Sequence, residues 1–177
     1  MRRLRICFSL LTALVLAGAV VLSTTGGSSA APSKSQALFK KTLLADAKTT
    51  TEIKDFLREG GGFVAPDITF ADLTGDGRSD AIVLVDTGGV AGAVALYVFS
   101  THGAAEESDL RVVYRSQRLY RASTEAANGG LILRTPRFVE GDDVCCPAKM
   151  VERTYTWSDA AQTLRQRSTV EVAGPTG

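Results

Sequence analysis

The chain has 177 residues, 45% of them hydrophobic, with 20 basic against 19 acidic side chains and one histidine. So even a balance gives no electrostatic reason to expect nucleic acid or an anionic membrane surface as a partner. The single histidine, His102, has no Gly-x-Ser-x-Gly elbow to accompany it as a serine hydrolase base, and it leaves too few ligands for a four-coordinate zinc shell.

Met1-Arg2-Arg3-Leu4-Arg5 is a cationic start, and Ile6 to Leu22 is apolar apart from small residues, Ser9 and Thr12. Ser28-Ser29-Ala30 then places small residues where a signal peptidase reads, so residues 1–30 are expected to be an export signal cleaved after Ala30. The apolar run is close to the length that spans a bilayer, so an uncleaved anchor is the alternative. No cysteine follows the run to accept a diacylglycerol. Cleavage removes three arginines and Cys7, which leaves 17 basic against 19 acidic residues and a net charge of −2. The expected location is secreted or extracytoplasmic, in the cell envelope, with no stable membrane association once the signal is gone.

Residues 31–36 read as a flexible linker, and a single domain is expected over 37–172, with a tail at 173–177. Ala37 to Ala47 carries apolar residues at 38, 39, 43 and 44, which is helical spacing. Thr49-Thr50-Thr51-Glu52 fits a capping box for a second helix bearing Ile53, Phe56 and Leu57. Gly60-Gly61-Gly62 ends it. From Phe63 the texture becomes strands and turns. Strands are expected over Ile68–Ala71, Ala81–Val85, Ala93–Ser100, Leu110–Tyr114, Leu119–Ser123, Leu131–Phe138, Val151–Trp157 and Thr163–Val172. Ala81–Val85 is apolar on both faces, as in a strand covered on both sides. Asn128-Gly129-Gly130 marks a hairpin turn, and Pro136 puts its strand at an edge or ends it early. Short turns between strands predict an α+β fold, with N-terminal helices packed on a mostly antiparallel sheet of about six to eight strands.

Asp72-Leu73-Thr74-Gly75-Asp76-Gly77-Arg78-Ser79-Asp80 is the most informative segment. Carboxylates fall at loop positions one, five and nine, a hydroxyl at three, and a glycine at six allows a sharp bend. Such oxygens suit a hard cation, so calcium is expected on Asp72, Thr74, Asp76, the Arg78 carbonyl and Asp80. An EF-hand would need glutamate at position twelve, where Val83 stands. The alternative is a metal-free polar hairpin in which the side-chain oxygens cap backbone amides.

Cys145-Cys146-Pro147 follows Gly141-Asp142-Asp143. Adjacent Cα atoms lie about 3.8 Å apart, below the roughly 4.4–6.8 Å usual for disulfides. A strained bond between Cys145 and Cys146, a pair of free buried thiols, and a redox or metal role are the open readings. Asp86-Thr87-Gly88 ends an apolar strand, as the carboxylate of an aspartic protease does. One copy would need a dimer, and a plain turn is the alternative. His102 reads as a solvated loop residue. Arg111, Arg115, Arg118 and Arg121 read as a solvated strand face, with an anion site as the alternative, and Phe138, Arg153, Tyr155 and Trp157 as a small groove or as packing on the sheet.

The acidic segment resembles the calcium loop of FG-GAP and integrin-type repeats, matching at Asp72, Asp76, Gly77 and Asp80, with Thr74 in place of the usual asparagine or aspartate. Residues 38–172 together resemble the LppP/LprE-type secreted lipoproteins of actinobacteria. That resemblance rests on the acidic loop, the Gly88–Gly92 hairpin, Tyr97-Val98-Phe99, Cys145-Cys146-Pro147, Tyr155 and Trp157. It implies an envelope location and a small α+β domain, and carries no activity. The lipidated cysteine of that family has no counterpart here. The expected function is therefore an exported, non-enzymatic domain with a structural calcium loop, binding a protein or cell-wall partner. The alternative is a secreted hydrolase using Asp86.

Overall fold

The computed structural model of the chain describes residues 33–103 and 109–175. The expected export signal lies outside the described residues. Among the described residues, no helix is long and apolar enough to cross a membrane.

Helix α1 (Lys34–Ala45) starts earlier than its apolar spacing indicates, inside the stretch read as a linker. Ser33 and Gln36 form a capping box: the Ser33 hydroxyl accepts the Gln36 amide at 3.2 Å, and the Gln36 side chain accepts the Ser33 amide at 2.8 Å. Helix α2 (Thr51–Glu59) ends as expected at Gly60, whose φ is 78°. Its start differs. The Thr49 hydroxyl donates back to Asp46 rather than capping the helix, and Thr50 is the N-cap without a side-chain cap bond.

The strands form two antiparallel sheets. In the first, β3 (Asp80–Asp86) pairs along one edge with the short β1 (Phe63–Val64) and β2 (Thr69–Ala71). Its other edge pairs with β4 (Ala93–Ser100), which continues to β5 (Arg111–Gln117). The second sheet is a meander of β6 (Ser123–Ala127), β7 (Gly130–Arg137), β8 (Lys149–Ser158) and β9 (Thr163–Ala173). The α+β class and the N-terminal helices stand. Among the described residues there are nine strands in two sheets, where one sheet of six to eight is the expectation.

Two cores separate three layers. Phe39 and Leu43 of α1 and Ile53 and Leu57 of α2 pack on Val83, Val85, Tyr97 and Phe99. Ile82, Leu96 and Val98, on the opposite face, pack on Leu131, Leu133, Tyr155 and Leu164 of the second sheet. Strands β3 and β4 are therefore covered on both faces, as their unbroken apolar runs predict. Phe39 and Phe99 meet with ring centroids 4.7 Å apart, tilted by 47°. Each such buried side chain stabilises the fold by about 1.5–3 kcal/mol relative to exposure.

The extra sheet comes from a segment misread as a strand. Residues 119–122 are a crossover. Arg118 and Arg121 hold left-handed φ values of 63° and 46°, which no strand accommodates. The segment is stitched to the start of β4 by the Leu119, Arg121 and Ala122 amides, which donate to Val94, Ala91 and Ala93. The chain then enters β6 and turns into β7 through Asn128 and Gly129, with φ of 51° and 68°. Pro136 sits in an interior strand, but β6 pairs with β7 only as far as Ser123↔Arg134. Pro136 lies opposite Met150 of β8, past the end of β6, so only one neighbouring strand remains there. The second sheet ends on β9, whose residues from Arg165 to Glu171 are exposed.

Candidate functional site

The acidic segment is the connection between β2 and β3, and Ala71 pairs with Asp80 at its base. Leu73 is buried in the core between the sheets and pins the loop from below. Gly75 and Gly77 hold φ of 76° and 81°, a backbone shape that glycine supplies without a steric penalty.

Asp80 opens β3 and is 1% exposed. Its Oδ2 accepts the amides of Leu73 and Thr74 at 2.8 and 3.0 Å. Its Oδ1 and the Thr74 hydroxyl are both sealed from solvent and have no hydrogen-bond partner among the described residues. Asp72 accepts the Gly75 amide on Oδ1 at 2.6 Å and the Gly77 amide on Oδ2 at 2.9 Å. Asp76 accepts the Arg78 amide on Oδ1 at 2.9 Å. The Asp76 carboxyl is held below the usual carboxylate range, first by that amide; burial, next in size, opposes it, and His102 and then Thr74 add to the lowering. The Thr74 hydroxyl thus lies near Asp76 without an aligned hydrogen bond.

Among the described residues, no group of three or more His, Cys, Asp or Glu side chains is placed to hold a metal ion. The expected convergence of Asp72, Asp76 and Asp80 on one centre is therefore not seen. Each carboxylate instead meets amides of the glycine-bent loop, which offers donors at close range. What the loop brings inside is the pair Thr74 and Asp80. Arg78 contributes its amide to Asp76, and its side chain is exposed.

The sequence reading missed His102. It is not a solvated loop residue: its Nδ1 stands 3.3 Å from Asp76 Oδ2, with the side chain 22% exposed. Its amide donates to the Ser100 hydroxyl at 2.9 Å, and its ring packs edge-on against Trp157 with centroids 5.2 Å apart. The signal that could have found it is topological. Antiparallel pairing of β3 and β4 sets Ala81 opposite Phe99, so the residues just after β4 lie beside those just before β3.

Cys145 and Cys146 are exposed free thiols, and no disulfide joins them. They are not buried either. They sit in the β7–β8 connection, where Asp142 Oδ2 accepts the Val139 and Ala148 amides at 3.0 and 3.1 Å and shapes the loop without any sulfur bond. The neighbouring Cys145 pushes the Cys146 thiol up from its usual range. Asp86 caps its own turn by accepting the Gly88 amide at 2.6 Å.

The four arginines do not share a face. Arg111 and Arg115 line, with Lys48, a cleft of about 410 Å³ beside β5. Arg115 also meets Asp46 at 3.3 Å. Arg121 donates to the Val144 carbonyl, tying the crossover to the cysteine loop. Arg118 lies at a second cavity with Arg153 and Tyr155. Trp157 is at the other end of β8, beside His102, and Phe138 packs on Tyr120, so the four-residue groove is divided. No family model matches the chain, and neither does any curated protein or solved structure.

Proposed function

We propose that the chain is an exported, non-enzymatic domain whose acidic hairpin takes a calcium ion as a structural clamp. The observation that carries this is the pair of buried, unpartnered oxygens, Asp80 Oδ1 and Thr74 Oγ1. Leaving such groups unpaired away from water costs about 1–3 kcal/mol each, and more for a charged one. A hard cation takes oxygen ligands of this kind, and an oxygen already taking an amide keeps a further lone pair for it. Thr74 and Asp80 would hold the ion from the inside, with Asp72, Asp76 and the Arg78 carbonyl closing over it. Extracellular sites of this sort bind at roughly 0.1–1 mM.

The export pattern of residues 1–30 and the likeness to LppP/LprE-type lipoproteins support a place in the cell envelope. Phe70, 58% exposed on the strand that enters the hairpin, gives the clamp an apolar neighbour for a protein or cell-wall partner. The test is a thermal scan with calcium and then with chelator, alongside Asp80→Asn. The reading requires that calcium raise the midpoint in the parent chain and not in the variant. Identical midpoints in the parent chain overturn it.

A further inference from the structure

The second cavity lies at the end of β5 remote from the acidic hairpin, between the two sheets where they part. Its volume is about 300 Å³, and Arg118, Leu119, Tyr120, Leu133, Arg153 and Tyr155 are among the residues lining it. None of its described lining residues is acidic.

Arg153 is out of place for a packed sheet. In the β7–β8 register it sits directly opposite Leu133, which is 1% exposed in the core between the sheets. Directly opposed residues share a face, so Arg153 occupies a core-side position where an apolar side chain is the ordinary choice. A guanidinium brought to such a place is costly unless it is paired. Its Nη1 donates to the Thr135 hydroxyl at 3.0 Å, and it has no ion pair with any described acidic residue. Guanidinium carries five donors, so one neutral acceptor leaves most of its capacity free.

Arg118 brings a second cation to the same cavity. It too has no ion pair with a described acidic residue, and it is held there at a cost in backbone conformation. Its φ of 63° is unusual for a side-chain-bearing residue, and the next amide is fixed to Val94 at 2.8 Å. Two cations without a counter-charge among the described residues, set beside Leu119, Leu133 and the tyrosine rings, break local preferences in the way binding sites do. The forked donors match an oxyanion, and the apolar walls match a small hydrophobic body.

We propose that this cavity binds a small organic anion, a carboxylate or phosphate ester carried on an apolar ring, with Arg118 and Arg153 gripping the oxyanion. The site is independent of the calcium reading, and its test is run in chelator so that one can fail without the other. Four probes are titrated into the full chain while the Nε–Hε resonances of its arginines are followed: benzoate, phenyl phosphate, inorganic phosphate and the neutral benzamide. Benzoate or phenyl phosphate, whichever headgroup fits, is expected to saturate with a dissociation constant on the order of 1 mM, as for fragments of this size, and to move Arg118 and Arg153 selectively. Arg153→Met is expected to weaken that binding at least tenfold. Arg118→Ala, at an exposed position, is expected to weaken it at least threefold and decides the matter if Arg153→Met does not fold. The proposal is overturned if neither ring anion saturates, if benzamide binds as well, if inorganic phosphate binds as tightly, or if Arg118→Ala leaves affinity unchanged.

Discussion

His102 Nδ1 and Asp76 Oδ2 stand 3.3 Å apart, which ties the end of β4 to the bend of the acidic hairpin. The pair puts a titratable nitrogen beside a carboxylate that the calcium proposal also needs. It makes the hairpin sensitive to acid from the carboxylate side. The folded-state pKa of Asp76 is depressed below 3.8. The stability it contributes is therefore present above that ordinary value and is lost as pH falls through the lower, folded one. Asp76→Asn is expected to lower Tm near neutrality and to flatten the decline below about pH 4, so that variant and parent converge in acid. A variant whose acid limb runs parallel to the parent's removes Asp76 from the account.

Asp80 separates a structural role from a metal role. Asp80→Ala strands the buried amides of Leu73 and Thr74 and is expected to cost about 2–4 kcal/mol in urea unfolding. Asp80→Asn keeps an acceptor for those amides and is expected to cost about 1 kcal/mol in chelator. If both variants unfold at the parent's midpoint, the buried carboxylate is not holding the hairpin.

Calcium at ten times its dissociation constant adds about 1.4 kcal/mol to the folded state. For a domain of this size that is a rise in Tm of about 3–6 °C. Magnesium is expected to give less, because it demands octahedral geometry and sheds water reluctantly. Differential scanning calorimetry with each ion at matched ionic strength reads this, and equal shifts from both ions would point to general screening.

Tyr97 predicts the alkaline limit. Its ring is fully buried and its hydroxyl donates to Gln117 at 3.0 Å, and burial pushes its pKa up to about 12. A raised folded pKa on a phenol means that stability is intact below its ordinary value of 10.0 and falls as pH rises toward 12. Tyr97→Phe is expected to lose about 1 kcal/mol at pH 8 and to narrow its deficit between pH 10 and 12. A deficit that stays constant across that range contradicts the assignment.

The exposed thiols give a chemical check. Both Cys145 and Cys146 are expected to react with a thiol reagent in the folded chain, without denaturant. Replacing both by serine is expected to change stability by less than about 0.5 kcal/mol, as for surface positions. A chain that reacts only after reduction or unfolding would show that the loop is bonded or closed.

Much of the fold is legible where one physical cause dominates. The runs Ala81–Val85 and Ala93–Ser100 are apolar on both faces because helices cover one side and a second sheet the other. Gly60 and Asn128-Gly129 end elements because the backbone there turns left-handed. The features that are not legible depend on residues distant in sequence. Leu119–Ala122 reads as a strand by composition. Only the stitching to Ala91, Ala93 and Val94 makes it a crossover, and this one misreading merges two sheets into one. Thr49 is a sound cap by pattern, but Asp46 claims its hydroxyl. The acidic loop is legible as a glycine-bent hairpin between strands. Its carboxylates turn to local amides, the alternative its Asp and Gly content already offers, but His102 reaches it only through the register of β3 and β4.

Strand β9 closes the second sheet with eleven residues and an outer rim that no other described strand occupies. Such a rim is a template for another chain to add itself, and charged side chains are the usual deterrent. Arg165, Arg167 and Glu171 stand exposed along it. An incoming strand would have to strip water from all three. Hydration of this strand thus opposes the addition of another chain there, and exchanging those arginines for valines is expected to favour self-assembly without loosening either hydrophobic layer.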